Sequence, residues 1–199
     1  MSNNKSINIL AWNIRGMNSK EKWDAIRAKI NESSCHIVCL QETKRDNFDQ
    51  LYLKKFCTKQ LNSFAFFPSV GASGGIITIW NNNVFSGDVI QANAYCVTVK
   101  FINRLDNSCF FLSNIYGPSH ASGKLAFITR QLNLDTTSFE DWLLVGDFNL
   151  YRSVEDRNRV GGDARDMQKF NDLIFDLELV DIPFSGRSFT WSNMQLVPF

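Results

Sequence analysis

The sequence predicts an α+β protein, and two patterns carry that prediction. Apolar residues recur at helical spacing over 18–30, 122–133 and 163–177, each run lying close to a short apolar segment. Between the first two lies a strand-dense stretch, 64–116, whose β-forming runs are separated by turn residues. A third pattern bears on function: four apolar runs end abruptly in amide, carboxylate or phenol side chains.

The elements follow in order. Residues 7–12, Ile-Asn-Ile-Leu-Ala-Trp, suit a strand covered on both faces and stop at the turn Asn13-Ile14-Arg15-Gly16. Asn18, with Glu21 three residues later, reads as a capping box, and Trp23, Ile26 and Ile30 share one helical face behind it. Residues 36–40 form a second strand ending at Gln41-Glu42, and 46–56 reads as a short helix. Runs at 64–67, 75–80, 84–90, 95–102 and 109–116 follow at hairpin spacing, which argues an antiparallel sheet. Leu125, Ile128 and Leu132 then mark a helix, 142–146 a buried strand, and Met167, Phe170, Ile174 and Leu177 the clearest amphipathic helix. Short strands are expected at 179–181 and 188–191. The two halves look alike in outline, each beginning as strand or helix and then strand, without a repeat at the residue level.

Composition sets bounds. At 199 residues a single domain spanning 1–199 is expected, large enough to bury about 70% of its unfolded surface. Hydrophobic residues make up 44% of the chain, with 17 Phe and 5 Trp, so the core is large and disorder is excluded. The net charge of +1 disfavours a histone-like, non-specific polyanion binder and leaves room for a local basic patch. The polar N-terminus lacks the apolar core of a signal peptide, and no run approaches a membrane span. A non-secreted, nuclear or cytoplasmic protein with no membrane partner is expected. The odd cysteine count, 5, agrees with free thiols in a reducing compartment. Cys35 and Cys39 lack a second ligand pair at finger spacing, so zinc is not supported.

The strand tips carry the chemistry. They are Asn13, Gln41-Glu42, Tyr116 and Gly146-Asp147-Phe148-Asn149. A sheet holds such a tip rigidly while its head group meets solvent. Together they offer hard oxygen donors with no thiolate or imidazole, which selects Mg²⁺ or Mn²⁺ over zinc and points to metal-assisted phosphodiester hydrolysis. Singly, each tip has a plainer reading. Asn13 can simply start a turn, Gln41-Glu42 can be a solvated strand end, Tyr116-Gly117-Pro118 can be a turn with an aromatic anchor, and Gly146–Asn149 can be a cap. Their conjunction, in this order, weakens the plain readings.

The segments "AWNIRGM" around Asn13, "VCLQETK" around Glu42, "SNIYGP" around Tyr116, "GDFN" at 146–149 and "GRSFTWSN" at 186–193 resemble the endonuclease/exonuclease/phosphatase superfamily. Within it they resemble the endonuclease domain of LINE-type (non-LTR) retrotransposons in the form common in plants. The resemblance runs from 7 to 193. It implies a two-sheet β-sandwich flanked by helices, the DNase I-like four-layer architecture, and no small-molecule cofactor beyond the metal. It implies Glu42 as the principal Mg²⁺ (or Mn²⁺) ligand with Asn13 beside it. Asp147 would orient or deprotonate the attacking water, Asn149 would donate to the scissile phosphate, and Tyr116 would support the phosphate or leaving group, with DNA as the ancestral substrate.

The family pattern continues past "FTWSN" with further strands, an Asp and a Ser-Asp-His motif. These 199 residues hold only His36 and His120, neither in that context and both read as structural or surface residues. The expectation is therefore a C-terminally incomplete domain, missing its last strands, with little activity and marginal stability alone. The alternatives are a non-catalytic remnant or another superfamily phosphodiesterase: an abasic-site repair nuclease, a phosphoinositide phosphatase or a sphingomyelinase. Arg187 and Arg152 are candidate phosphate contacts, as are Arg157 and Arg159; Glu155 and Asp156 leave a solvated loop open as the plainer reading.

Overall fold

Strands β1 (Ile9–Asn13) and β2 (Ile37–Gln41) pair in parallel, because the helix between them, α1 (Lys20–Ser33), carries the chain back to its starting edge. In this computed structural model, residues 6–71, 73–132, 139, 141–156, 162–183 and 185–186 are described. They fall into two compact units: 1–116 with 136–147, and 117–135 with 148–199.

The first unit holds both sheets. One has the order β1-β2-β4-β3, with β3 at Ser63–Val70 and β4 at Ser73–Trp80. The other has the order β5-β6-β7-β8, with strands Phe85–Asn93, Cys96–Asn103, Cys109–Tyr116 and Trp142–Asp147. Read from its hairpin edge inward, each sheet is antiparallel, antiparallel, then parallel. The likeness of the two halves is therefore a likeness of sheets. The run of hairpin-spaced strands is not one antiparallel sheet, as its spacing suggested: it divides between β4 and β5. Trp80 and Phe85 both pack against Phe101, with ring centroids 5.4 and 5.9 Å away, so β4 and β5 meet across the core and not edge to edge.

The period of two explains both faces. In β2, Val38 and Leu40 face outward and pack with Ile26 and Ile30 of α1 and with Tyr52 and Leu53 of the single-turn helix α2 (Gln50–Leu53). Ile37 and Cys39 face the other way and pack with Ile76, Val97, Val99 and Leu112 between the sheets. Gln41 continues that inward parity, and so does Asn114 of β7. Both are fully buried. The Gln41 amide Nε2 donates to Asn114 Oδ1 at 2.6 Å, and Asn114 Nδ2 donates to the Ile77 carbonyl at 2.9 Å and to Thr78 Oγ1 at 3.2 Å. A buried amide pair thus joins β2, β4 and β7 across an otherwise apolar interior.

The N-cap of α1 is Ser19, whose Oγ accepts from the Lys22 amide, and not Asn18. Asn18 is used elsewhere, donating to the Lys44 carbonyl at 3.1 Å and accepting from Arg45 at 3.3 Å.

The second unit contains α3 (Ala121–Leu132) and α4 (Ala164–Asp176), tied by Lys124 to Asp166 at 2.9 Å. In α3 the buried side chains among the described ones are Phe127 and Ile128, Leu125 is exposed, and the Leu132 side chain lies outside those described. In α4, behind an Asp163 cap, Phe170 of the expected face is buried while Met167, Ile174 and Leu177 are half-buried; Leu173, outside that set, is buried as well. Residues 179–181 are not a strand. They close α4 in a Schellman turn: the Glu178 amide donates to the Phe175 carbonyl, the Leu179 amide to the Ile174 carbonyl, and Glu178 takes a left-handed φ of 51°. No glycine marks the turn, which is why it read as a strand. The strand expected at 188–191 lies outside the described residues. Among the described residues no helix is long and apolar enough to cross a membrane.

Removing one partner of the amide pair strands the others. Asn114→Leu is expected to cost about 2–4 kcal/mol, read as a lower urea midpoint at unchanged m. Gln41→Met combined with Asn114→Leu is expected to cost less than Asn114→Leu alone, since no buried amide is then left without its mate. A double variant as unstable as the sum of the singles would contradict this.

Candidate active site

The inward parity that buries Gln41 and Asn114 continues to the strand ends. Asn13 of β1 is the register partner of Gln41, and Tyr116 of β7 is the register partner of Asp147 of β8. The two pairs belong to different sheets, and one hydrogen bond joins them: Asn13 Nδ2 donates to Asp147 Oδ2 at 2.8 Å. Asn13 also does what its plain reading proposed. Its Oδ1 accepts from the Arg15 amide at 3.1 Å, an Asx turn, and Arg15 takes a φ of 51°. One side chain starts the turn and bridges the sheets.

The strand ends are held in unusual backbone. Glu42, directly after β2, has φ 55°, and Lys44 has φ 54°. A left-handed conformation is disfavoured for such residues by about 1–2 kcal/mol and persists only where neighbours enforce it. Here they do. Glu42's carbonyl accepts from the Gly16 amide at 2.7 Å, and the amides of Thr43 and Lys44 donate to the carbonyls of Gly75 and Gly74 at 3.0 Å each. On β8, Gly146 has φ 130°, and a Cβ there would lie 2.1 Å from the Ile115 carbonyl oxygen. Only glycine lets β8 approach β7 closely enough to deliver Asp147 beside Tyr116.

Electrostatics shows which groups are close. The Tyr116 phenol is raised above its ordinary 10.0, first by burial, then by the negative charges of Glu42 and Asp147. Both carboxylates act on one hydroxyl, a neutral hydrogen-bond donor at physiological pH whose proton is held to higher pH than usual. Lys44 Nζ lies 3.2 Å from Glu42 Oε1. The donors are hard oxygens of carboxylate, amide and phenol. Among the described residues no group of three or more His, Cys, Asp and Glu is placed to hold a metal. A cation here would thus draw on one or two carboxylates completed by amide, water or phosphate oxygens, the ligand set that suits Mg²⁺. The residues fit that ion.

Two of the other sequence candidates, Asn149 and Arg152, belong to the second unit. Asn149 has φ 52° and its Nδ2 donates to the Gly117 carbonyl at 2.7 Å. Arg152 is exposed there, and its guanidinium is engaged by Asn171 and Asp181. Arg187, Arg157 and Arg159 lie outside the described residues. His36 sits at the opposite end of β2 from Glu42, its Nδ1 accepting from the Asn8 amide at 3.1 Å, and His120 is exposed. Asn114 was not among the sequence candidates. Its signal was its place two residues before Tyr116, on the same face of β7.

A family model described as the Endonuclease/Exonuclease/phosphatase family matches residues 10–195, through every one of these strand tips. The chain belongs to this family. Solved structures give the same fold. An AP endonuclease, LMAP, from Leishmania major matches with TM-score 0.64 at 17% identity, over 85% of this chain and 66% of that one. The APE2 catalytic domain of Xenopus laevis matches with TM-score 0.64 at 16% identity, over 83% and 67%. The endonuclease domain of TRAS1, a telomere-specific non-LTR retrotransposon, matches with TM-score 0.62 at 12% identity, over 86% and 72%. The chain thus spans about two thirds of the length of the first two. The sandwich of two mixed sheets is the fold of this endonuclease/exonuclease/phosphatase family member.

Glu42→Gln is expected to lower the Tyr116 pKa toward 10.0, followed as phenolate absorbance in difference spectra against Tyr116→Phe. The sign of the linkage follows. With the folded pKa raised, the folded state holds its proton longer, so this contribution to stability is complete below pH 10 and is lost as pH rises through the folded value. In Tyr116→Phe that alkaline loss should diminish.

Proposed function

We propose that this chain is the Mg²⁺-dependent DNA endonuclease domain of a LINE-type retroelement. The observation that carries the reading is the hydrogen bond between Asn13 and Asp147, which draws the tips of two sheets together beside a phenol that senses both carboxylates. The match to a non-LTR retrotransposon endonuclease fold and the "WNIRG" and "FTWSN" segments support the retroelement origin. The family match running through both units supports 1–199 as one domain. Five free cysteines suit a reducing nuclear or cytoplasmic setting.

Glu42 and the Asn13 amide oxygen are the residues that would hold Mg²⁺ (or Mn²⁺). Bound there, the ion supplies Lewis acidity at the scissile phosphate. Asp147, oriented by the Asn13 amide, takes the proton of the attacking water as its oxygen bonds to phosphorus. Tyr116, kept neutral, donates to the phosphate or to the departing oxygen, where negative charge gathers in the transition state. Asn149, two residues beyond Asp147, is the amide that the family pattern assigns to the phosphate.

No histidine of this chain is assigned to the reaction. With Asp147 acting without an imidazole partner, slow turnover is expected of the 199 residues, because members of a catalytic unit act together. The test is relaxation of supercoiled plasmid. Slow Mg²⁺-dependent nicking is expected, stopped by EDTA and by Asp147→Ala, with Mn²⁺ affinity lowered in Glu42→Gln. Fast nicking abolished by Asp147→Ala would overturn the expectation of slow turnover. Turnover of a soluble inositol phosphate or of abasic DNA in place of plasmid would move the assignment to another phosphodiesterase. Absence of turnover with metal affinity retained would leave a non-catalytic remnant.

A further inference from the structure

Beside the strand tips, within the same unit, lies a solvent-open cleft of about 580 Å³. Three cations line it, Lys44, Arg45 and Lys55, against one carboxylate, Asp46. For a chain with a net charge of +1 this is a local surplus. Arg45 and Lys55, ten residues apart, both rest on aromatic side chains. The Arg45 guanidinium carbon lies 3.8 Å from the Tyr52 ring centroid, and Lys55 Nζ lies 4.3 Å from the Trp23 centroid and 5.0 Å from that of Tyr52. Trp23 is fixed in turn by its indole N–H, which donates to the Met17 carbonyl at 2.6 Å.

The manner of holding matters. Among the described residues neither Arg45 nor Lys55 has a carboxylate within ion-pair distance. Aromatic faces position a cation without neutralising it. Both charges sit on the Tyr52 ring, within a Debye length of each other, which is about 10 Å at 0.1 M salt. An anion arriving from solvent would relieve their mutual repulsion. The rings themselves are capped by the cations, so base stacking is not what the cleft offers. Arg45 is further fixed by hydrogen bonds to Asn18 at 3.3 Å and to the Asn47 carbonyl at 3.2 Å. Lys44 links cleft and site, since it lines the cleft while its Nζ reaches Glu42 at 3.2 Å.

We propose that this cleft binds the phosphodiester backbone of a nucleic-acid strand flanking the cleaved bond, with Arg45 and Lys55 as its phosphate contacts. The proposal rests on the nuclease reading of the neighbouring tips. Such contacts fix register on the strand and carry no sequence information. They also assign binding charge to residues 44–55, a segment that the sequence alone did not single out for phosphate.

Affinity of the 199-residue protein for a labelled mixed-sequence DNA duplex would be measured by anisotropy in EDTA, across a series of KCl concentrations. Each lost phosphate contact lowers the slope of log affinity against log salt by about 0.9. Lys55→Gln is expected to show that loss, and Arg45→Gln with Lys55→Gln about twice it, with folding checked by circular dichroism. Arg165→Gln, which removes an equal charge from exposed α4, should leave the slope unchanged. An unchanged slope in folded Lys55→Gln, or an equal fall in Arg165→Gln, overturns the proposal. Binding of inorganic phosphate without any response to duplex overturns it as well. The two readings fail separately: plasmid nicking with a slope indifferent to Lys55 removes the cleft and leaves the nuclease, while a slope that falls without nicking or Mn²⁺ binding does the reverse.

Discussion

Two sheets slide easily over an apolar interface, because hydrophobic contact has no direction. The Gln41–Asn114 amide pair supplies the direction. It is fully buried, its geometry is short and specific, and it reaches β4 as well through Ile77 and Thr78. A slip of one residue in either strand would turn an amide into the wrong layer and leave its partner stranded. Everything at the strand tips inherits that registration. Glu42 follows Gln41 directly, and Tyr116 lies two residues beyond Asn114 on the same face.

The tips then divide labour between backbone and side chain. Backbone sets position: Glu42 is held left-handed between bonds to Gly16 and to the Gly74–Gly75 turn, and Gly146 lets β8 press against β7. Side chains set charge. Asn13 bridges to Asp147, and Tyr116 holds its proton to higher pH because burial and two carboxylates oppose its ionisation. Lys44 stands beside Glu42 and also lines the basic cleft, so the same short segment serves the carboxylate and the surface next to it.

The elements themselves were legible in the chain. The runs from 7 to 116 became β1 to β7 with α1 in place, because apolar period and turn residues both act locally; the helix read over 46–56 is only the single turn Gln50–Leu53. Misreadings arose where a local signal had a distant competitor. Asn18 reads as a helix cap, yet its amide is committed to Lys44 and Arg45, so Ser19 caps α1 instead. Residues 179–181 read as a strand, yet Glu178 adopts the left-handed turn that a glycine would have announced. The hairpin-spaced strands read as one sheet, yet Trp80 and Phe85 meet on Phe101 and send β5 across the core.

The sequence by itself determined the class of the fold, the polar residues at each strand end and the hard-oxygen character of the candidate site, since each of these is written in neighbours along the chain. Tertiary structure decided which of those ends meet. Asn13 and Asp147 are 134 residues apart, and no periodicity relates them. Only the stacking of one sheet on the other, registered by Gln41 and Asn114, closes that distance. The basic cleft has the same origin: Arg45 and Lys55 become one site only when both settle on the Tyr52 ring, with Trp23 against Lys55.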